Sequence, residues 1–424
     1  MTQTSIKPQN LPETLIWYYI IGTYGIYILG AQFFFAILLA CFLTFYLLIK
    51  WWNQTEETPP EDKITFSSSS WVWLAAMLVL AVALVIAHLN FDYGVVQIVK
   101  SSLKWIPFAL FPLVGHLNIR PQLIYRAVCI LCLQSLILIP ILYLASVVNF
   151  PGHLYTSPLA ALGGASSRYE VILYATQYTG ETRLHLFAPH SPALGLAGNI
   201  YFFLAQQEPD QKRRWLGMAG AVAMIVSSVS RMSILCLPFV IVSVWFLTNF
   251  FRPWVQFAAG LASFLTGIFS ATLINALETA REQFHEFRAG SSEVRAIVLR
   301  MTVRRWQNEA PIWGHGVIEE QGPAVAGYMP LGTHHTWYSI LYTQGLVGCI
   351  ALAVAFGWSL IDLLLKAQTS EQAKVGLSIL LVLIPFTFGE IIHSGSYIYW
   401  PGLVILGVAF KESFLLSTRT NHWD

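Results

Sequence analysis

The side chains best suited to chemistry are two adjacent histidines, His334 and His335, at the point where a polar segment runs into an apolar one. An imidazole has an unperturbed pKa of roughly 6.5, so a histidine at a membrane edge can act as a general base near neutral pH. The amphipathic residues Trp337 and Tyr338 follow, and histidine can anchor a chain at an interface as they do. Both a catalytic and an anchoring role are therefore open.

A second group of candidates consists of the arginines Arg183, Arg231 and Arg295. An arginine at a membrane edge is costly unless it has a partner, and its planar set of donors suits phosphate oxygens. Arg183 comes seven residues before His190, and Arg231 follows the serine-rich stretch 227–230. Pairing with Glu390 or with lipid headgroups is the alternative for such cations.

Signatures of metal or nucleotide chemistry are absent from the sequence. Cys129 and Cys132 have CxxC spacing but lie in an apolar run without a second pair or a nearby histidine. No HExxH, P-loop, GxSxG or dinucleotide-binding glycine motif is present. The net charge of +2 at pH 7 offers no basic field for nucleic acid. We therefore expect no metal, no cofactor and no nucleic-acid partner.

The composition predicts that these residues are positioned by helices in a bilayer. The chain of 424 residues is 56% hydrophobic and 11% charged, with a mean hydropathy of +0.59, which is typical of an all-α polytopic membrane protein. We predict a single transmembrane domain, 1–424, with about twelve transmembrane helices. The spans are predicted near 14–30, 32–50, 71–88, 104–117, 122–147, 190–206, 213–229, 232–251, 254–275, 337–361, 373–389 and 397–411.

Lysine and arginine asymmetry predicts which loops face outward. With the N-terminus inside, most loop cations fall on the cytoplasmic side, and nine of the eleven histidines fall outside. Two long outer loops result, 148–189 and 276–336. The first contains a glycine- and serine-rich stretch, and the second is predicted to be lid-like, with amphipathic helices around 278–287 and over Ser291–Trp306.

Four stretches in order resemble the O-antigen ligase and polymerase superfamily of bacterial membrane proteins. His334-His335, nine residues, Gly345, two residues and Gly348 resemble its His-Asn/Ser-x9-Gly-x-x-Gly signature. The other three are the segment of Arg183 and His190, the pair Ser230-Arg231, and the segment 295–316 with its Pro-hydrophobic-x-Gly-x-Gly end. The resemblance covers residues 180–350. In this chain His335 stands where Asn or Ser is usual, so either histidine can be the catalytic one.

The resemblance implies a metal-independent, inverting glycosyltransferase on the periplasmic face of the bacterial inner (plasma) membrane. Its donor would be an undecaprenyl-diphosphate-linked saccharide, and its acceptor would be a glycan or glycolipid hydroxyl in a membrane of lipids. His334 would activate that hydroxyl, and Arg183, Arg231 and Arg295 would bind the diphosphate. Arg288 and Arg300 stay open as alternatives to Arg295. Whether the protein is a ligase or a polymerase stays open. A transporter of small anions, with arginines along its path, is the alternative.

Overall fold

A computed structural model describes residues 6–59, 62–162, 166–176, 181–272, 274–275, 278–279, 289–319, 321–326 and 328–412. In those residues fifteen α-helices are defined: α1 Leu11–Ile21, α2 Thr23–Ile28, α3 Gln32–Trp52, α4 Ser68–Asn90, α5 Val95–Leu103, α6 Ile106–Val114, α7 Pro121–Val147, α8 Ser191–Gln206, α9 Gln211–Ser227, α10 Arg231–Asn249, α11 Pro253–Ile268, α12 Ala289–Glu309, α13 Thr336–Lys366, α14 Glu371–Phe386 and α15 Ser396–Lys411.

Five of these helices, α3, α4, α7, α10 and α13, are long and apolar enough to cross a membrane. They contain 19 to 31 residues, and a rise of 1.5 Å per residue gives the shortest a length of about 28 Å, close to the thickness of the hydrocarbon core. The chain is therefore a predominantly helical, multi-pass membrane protein, as its composition predicts. The number of twelve spans stays a prediction.

Several of the predicted spans are shorter helices. The predicted span 14–30 is divided between α1 and α2 by Gly22, and α6 provides only nine residues of the span 104–117. Helices α8, α14 and α15 have 16 residues each, which gives them a length of about 24 Å. Since α8 and α15 are buried on nearly every side, they form the centre of the bundle around which the other helices pack.

The CxxC pair of α7 is a packing feature. Helix α9 lies against α7 with Gly217 and Gly220 at the contact. A Cβ at position 217 would come within 2.6 Å of the Cys129 sulfur, and one at position 220 within 2.2 Å of the Cys132 carbonyl oxygen. Small residues on one helix let the other approach closely, so the buried cysteines fill the interface between α7 and α9.

The first long loop, 148–189, carries two antiparallel ribbons that the sequence did not indicate. Strands β1 (His153–Thr156) and β2 (Glu170–Ile172) form one, and β3 (Tyr174–Thr176) and β4 (Thr182–Leu184) form the other. The Tyr27 hydroxyl donates to the Ile172 carbonyl at 2.7 Å and accepts from its N–H at 2.8 Å, which fixes the ribbons on α2. Strands of three or four residues are too short for an alternating pattern to stand out.

In the second long loop, α12 begins at Ala289, two residues before the predicted start, so Gly290 lies inside the helix. The helix ends at Glu309, three residues beyond the predicted Trp306. Of the other predicted helix, around 278–287, only 278–279 falls within the described residues, and both are helical.

The helical backbone of α13 is interrupted at Gly345, where φ is +65°. The segment 311–316 forms hydrogen bonds with the backbone groups around this interruption. Four backbone hydrogen bonds join them: His315 N–H to the Tyr342 carbonyl, Gly316 N–H to Thr343, Leu346 N–H to Pro311 and Val347 N–H to Ile312, at 2.7, 2.9, 3.0 and 3.3 Å. A Cβ at position 345 would lie 2.2 Å from the Ile312 oxygen. We call this arrangement of 311–316 against 342–347 the interlock.

Polar side chains gather at the two ends of the bundle. At one end the Arg120 guanidinium donates to Glu13 at 2.8 Å, and the Ser70 hydroxyl contacts the His116 imidazole at 2.7 Å. At the opposite end lie the ribbons, the segment 94–104, the described residues of the second long loop from 311 onward and the segment 390–395. The segments predicted to face outward are therefore brought together at one end of the molecule, where the two histidines also lie.

Candidate functional site

The two adjacent histidines have different surroundings. The His335 ring caps α13, because its Nδ1 accepts the Tyr338 N–H at 3.5 Å, and it packs against the rings of Tyr338 and Phe388 with centroids 4.5 and 5.6 Å away. Burial lowers the pKa of His335 to about 4, which keeps Nδ1 a neutral acceptor. His334 lies just outside the helix with φ +61° and an exposed side chain.

His334 opens into a cavity of about 310 Å³, here called the histidine cavity. Its wall is built from the first loop, the start of α8, the residues before α13 and the segment between α14 and α15. The lining residues are Ser167, Arg168, Pro189, His190, Ala193, Leu196, Thr333, His334, Glu390, Ile391, Ile392, Ser394, Gly395 and Tyr397. Segments more than two hundred residues apart in the chain thus meet at His334.

Hydrogen bonds hold the wall of the histidine cavity together beneath His334. The Thr336 N–H donates to the Thr387 carbonyl at 2.8 Å, and the Thr336 hydroxyl donates to the Glu390 carbonyl at 2.6 Å. The same hydroxyl accepts the Ile392 N–H at 3.1 Å. Because the first residue of α13 is bonded to the end of α14, His334 and Glu390 are held in a fixed relation.

Three titratable side chains of the cavity are shifted toward their neutral forms. Burial, followed by the charges of His185 and His334, lowers the pKa of His190 to about 4, and burial raises the pKa of Glu390 to about 7, against the opposing charge of Arg295. Their side chains lie 3.8 Å apart, from Nε2 to Oε2. Burial and the charge of Arg295 also lower the pKa of His334. A neutral imidazole with a free lone pair is what general base catalysis needs.

Arg168 lines the histidine cavity, and the sequence analysis missed it. Its guanidinium donates to the Ser394 hydroxyl at 2.9 Å and lies over the Phe33 ring, 4.7 Å from the centroid. Among the described residues it forms no ion pair with a carboxylate. Burial lowers its pKa from the ordinary value. A half-buried guanidinium with donors to spare is suited to binding an anion.

Arg295 lies on the face of α12 that is turned toward the residues before His334. Val298 and Thr302 are three and seven positions farther along, on the same face of a 3.6-residue helix. Val298 packs against Leu331, and the Thr302 hydroxyl accepts the Gly332 N–H at 3.0 Å. The charge of Arg295 reaches His334 and Glu390 strongly enough to shift the pKa of both.

The C-terminal half of α12 is bound to the interlock through charges. The Arg305 guanidinium donates to Glu309 at 3.0 Å and to Glu319 at 2.6 Å, and these carboxylates raise its pKa. Glu309 also contacts His315 Nε2 at 2.9 Å, and the His315 ring stacks on Tyr342 with centroids 4.4 Å apart. The predicted lid is therefore held at its C-terminal end by both ionic and backbone contacts.

The other two predicted arginines do not line the histidine cavity. Arg183 lies in β4, with its guanidinium 3.7 Å from Glu181 and its side chain 12% exposed. Arg231 is the first residue of α10, after the capping residue Ser230, whose hydroxyl accepts the Ser233 N–H at 3.4 Å. Of the predicted residues, His334 alone is part of the cavity wall, and Arg295 is its close neighbour.

Comparison with known families agrees with the motif resemblance. Residues 216–353 match the family model described as O-antigen ligase. The matched segment runs from α9 into α13 and includes Arg231, Arg295, His334 and the glycines of the interlock. A search of curated proteins finds no match. The match, which covers about a third of the chain, supports the predicted membership of the O-antigen ligase and polymerase family.

Proposed function

We propose that this member of the O-antigen ligase family transfers a glycan from undecaprenyl diphosphate to an acceptor hydroxyl at the outer face of the bacterial inner membrane. Its family assigns it a ligase or polymerase type of function in general. The observation that carries the finer proposal is one cavity lined by both His334 and the Arg168 guanidinium, with the charge of Arg295 acting on His334 from outside the cavity wall. Such a site can accept a proton and receive an anionic leaving group in the same place.

In the proposed reaction the His334 imidazole takes the proton of the acceptor hydroxyl. The oxygen attacks the anomeric carbon of the donor sugar, and the bond from that carbon to the diphosphate oxygen breaks. The electron pair leaves with the diphosphate, so a single displacement inverts the anomeric configuration. Arg168 and Arg295 stabilise the charge that develops on the diphosphate, an effect that is larger in a site of low polarity. No step needs a metal ion.

Arg183 and Arg231 keep their predicted roles as further diphosphate ligands in the proposal. Neither lines the histidine cavity, so they act on the donor at the margin of the site rather than at the reacting bond. We therefore expect Arg183→Gln and Arg231→Gln to weaken donor binding, whereas Arg168→Gln and Arg295→Gln lower kcat as well. Kinetics of the four variants with saturating acceptor measure the difference.

The decisive experiment compares His334→Ala with His335→Asn in purified protein supplied with an undecaprenyl-diphosphate glycan and an acceptor. Asparagine can cap a helix as His335 does, so His335→Asn is a matched control that should stay within about threefold of the wild type. Loss of a general base costs roughly 100-fold or more, which we expect for His334→Ala. Full transfer by His334→Ala, with His335→Asn inactive, would move the base to His335.

Two further measurements test the chemistry. The anomeric configuration of the product, determined by NMR, should be opposite to that of the donor linkage, because a single displacement inverts the reacting carbon. Transfer should also persist in excess chelator. A product with retained configuration would require a covalent intermediate and would rule out the single displacement.

A further inference from the structure

A second cavity, of about 390 Å³, adjoins the histidine cavity. It lies between the segment 97–104, the residues after the interlock and the segment that follows α14. Three cations line it, Lys100, Lys104 and Arg168, together with the polar side chains of Gln97 and Ser101. We call it the lysine cavity. Neither lysine was singled out by the sequence, because Lys100 and Lys104 read as ordinary loop cations.

The charge of the lysine cavity favours an anion. Its one carboxylate, that of Glu319, already accepts from the Arg305 guanidinium at 2.6 Å. Among the described residues, Lys104 and Arg168 form no ion pair with a carboxylate. Burial and the nearby charge of Arg168 lower the pKa of Lys104 to about 8. Like charges held together without a counter-charge are costly in a protein wall, and an anionic ligand would relieve that cost.

The lysine cavity shares Arg168, Ile391 and Ser394 with the histidine cavity. A ligand in one cavity therefore lies directly beside a ligand in the other, with the Arg168 guanidinium between them. Arg168 is kept in this position by Phe33 on one side and by the Ser394 hydroxyl on the other. This continuity places the second anion within reach of the proposed site of glycosyl transfer.

An apolar recess of about 170 Å³ is lined by residues that are chain neighbours of those lining the lysine cavity. Its wall includes Ser102, which follows Ser101, and Trp105, which follows Lys104, together with the apolar side chains of Leu80 and Leu84 on α4. Cationic groups and an apolar recess on adjacent residues of one segment match a molecule with an anionic head and a hydrocarbon chain. A membrane-anchored ligand fits this combination better than a free anion does.

We propose that the lysine cavity binds the phosphate-bearing headgroup of a membrane-anchored acceptor, with Lys100 and Lys104 as its ligands and the apolar recess taking part of its hydrocarbon chain. The inference rests on the proposed function, since it assigns the second substrate of the same reaction. Donor and acceptor phosphates then lie on opposite sides of Arg168. The lysines position the acceptor, and they take no part in the transfer of its proton.

Binding of inorganic diphosphate and of farnesyl diphosphate to the full chain in nanodiscs of neutral lipid tests the inference without turnover. The wild type should bind two equivalents of diphosphate, and the Lys100→Gln/Lys104→Gln double variant should bind one. Adding Arg295→Gln to the double variant should remove the remaining equivalent. The farnesyl compound should bind more tightly than inorganic diphosphate, and the preference should be lost in Leu84→Gln. Equal affinity for the two probes would assign the cavity to a free anion and overturn the membrane-anchored acceptor.

The matched control is Lys212→Gln/Lys374→Gln, which removes the same charge from the exposed Lys212 of α9 and the partly exposed Lys374 of α14. This control variant should still bind two equivalents of diphosphate. Lys100→Arg/Lys104→Arg keeps the positive charges and should also bind the second equivalent, which the glutamine variant loses. In transfer assays, loss of both lysines should raise the KM for a phosphorylated acceptor about 10-fold, the value of one charge-assisted hydrogen bond, with the donor KM unchanged. If the lysine double variant still binds two equivalents of diphosphate, this inference is wrong and the proposed function is unaffected. If the wild type binds both equivalents but transfers no glycan, the proposed function is wrong and the second binding site is unaffected.

Discussion

At the scale of single residues, the protonation of His334 depends on Arg295. The positive charge of Arg295 disfavours the imidazolium and lowers the pKa of His334 in addition to burial. The base-competent neutral form is therefore populated at lower pH than for an ordinary histidine. In the proposed reaction one arginine would therefore serve two purposes, because Arg295 would receive the leaving diphosphate and would also keep the proposed base deprotonated.

Replacing Arg295 by glutamine should move the acidic limb of the pH–activity profile to higher pH. Without the positive charge, the pKa of His334 rises toward its ordinary value, so more of the imidazole is protonated at a given acidic pH. The measurement is kcat/KM between about pH 5 and about pH 9. Arg295→Lys keeps the charge and should keep the limb in place; an unmoved limb in Arg295→Gln would separate Arg295 from His334.

Glu390 should make the protein less stable as the pH rises. Its carboxyl has a pKa of about 7 in the folded chain, against an ordinary 4.5, so the unfolded chain ionises first and stability is lost between those values. Glu390→Gln removes this loss and should be more stable than the wild type at pH 8 by up to about 3 kcal/mol. Apparent melting temperatures at about pH 5 should differ little, and an equal gain at both pH values would contradict the assignment.

Prediction from the sequence reached the residues that adjoin a motif and missed those that only the fold brings together. His334 was identified from its position before α13, and Arg295 from the arginine-bearing segment that precedes His334 in the chain. Arg168 stands in a glycine- and serine-rich loop more than 160 residues from His334, with no helical or strand pattern that could place it. An arginine within a polar outer loop was the one available signal, and several other arginines share it.

At the scale of elements, the glycine spacing of the family motif has a physical explanation in the interlock. Gly345 permits the positive φ that opens α13, and Gly314 lies so close that a Cβ there would come within 2.6 Å of the Gln344 nitrogen. Both glycines were noted in the sequence as part of a resemblance. Their pairing across thirty residues could not be predicted, because it depends on backbone contacts that no side-chain pattern encodes.

Gly345→Ala should destabilise the protein by about 3 kcal/mol or more, because the new methyl group meets the Ile312 carbonyl at a φ that L-residues avoid. Gly357→Ala in the same helix is the matched control. A Cβ there has no neighbour within 4 Å, so the change should be neutral or stabilising by up to about 1 kcal/mol. Thermal unfolding in detergent compares them, and equal melting temperatures would argue against the interlock.

At the scale of the whole molecule, sidedness follows from the way the chain distributes its polar segments. The loops predicted to face outward meet at the end of the bundle that holds both cavities, and Glu13, Arg120 and His116 meet at the other. The asymmetry of lysine and arginine among the loops therefore predicted the same two groups of polar segments that the fold brings together. They could not determine how many helices cross the bilayer, because central helices such as α8 and α15 are as apolar as lipid-facing ones.

The predicted orientation can be measured by labelling in intact cells. A cysteine at position 153, in the exposed strand β1, should react with a membrane-impermeant maleimide, whereas one at position 212 should react only after the cells are opened. The unsubstituted chain, whose cysteines are buried or lie in apolar helices, sets the background. The reverse pattern would place the histidine and lysine cavities on the cytoplasmic side.

The interlock also constrains how the protein can be made. A helix entering a bilayer ordinarily satisfies its own backbone before it meets lipid, yet the carbonyls of Tyr342 and Thr343 are satisfied by 311–316, a segment synthesised earlier. That segment must already have reached the side of the membrane where α13 begins. A chain whose export stalls between these two stretches would expose unpaired backbone carbonyls of α13 to lipid. Cellular quality control would then have a signal by which to detect the incompletely folded chain.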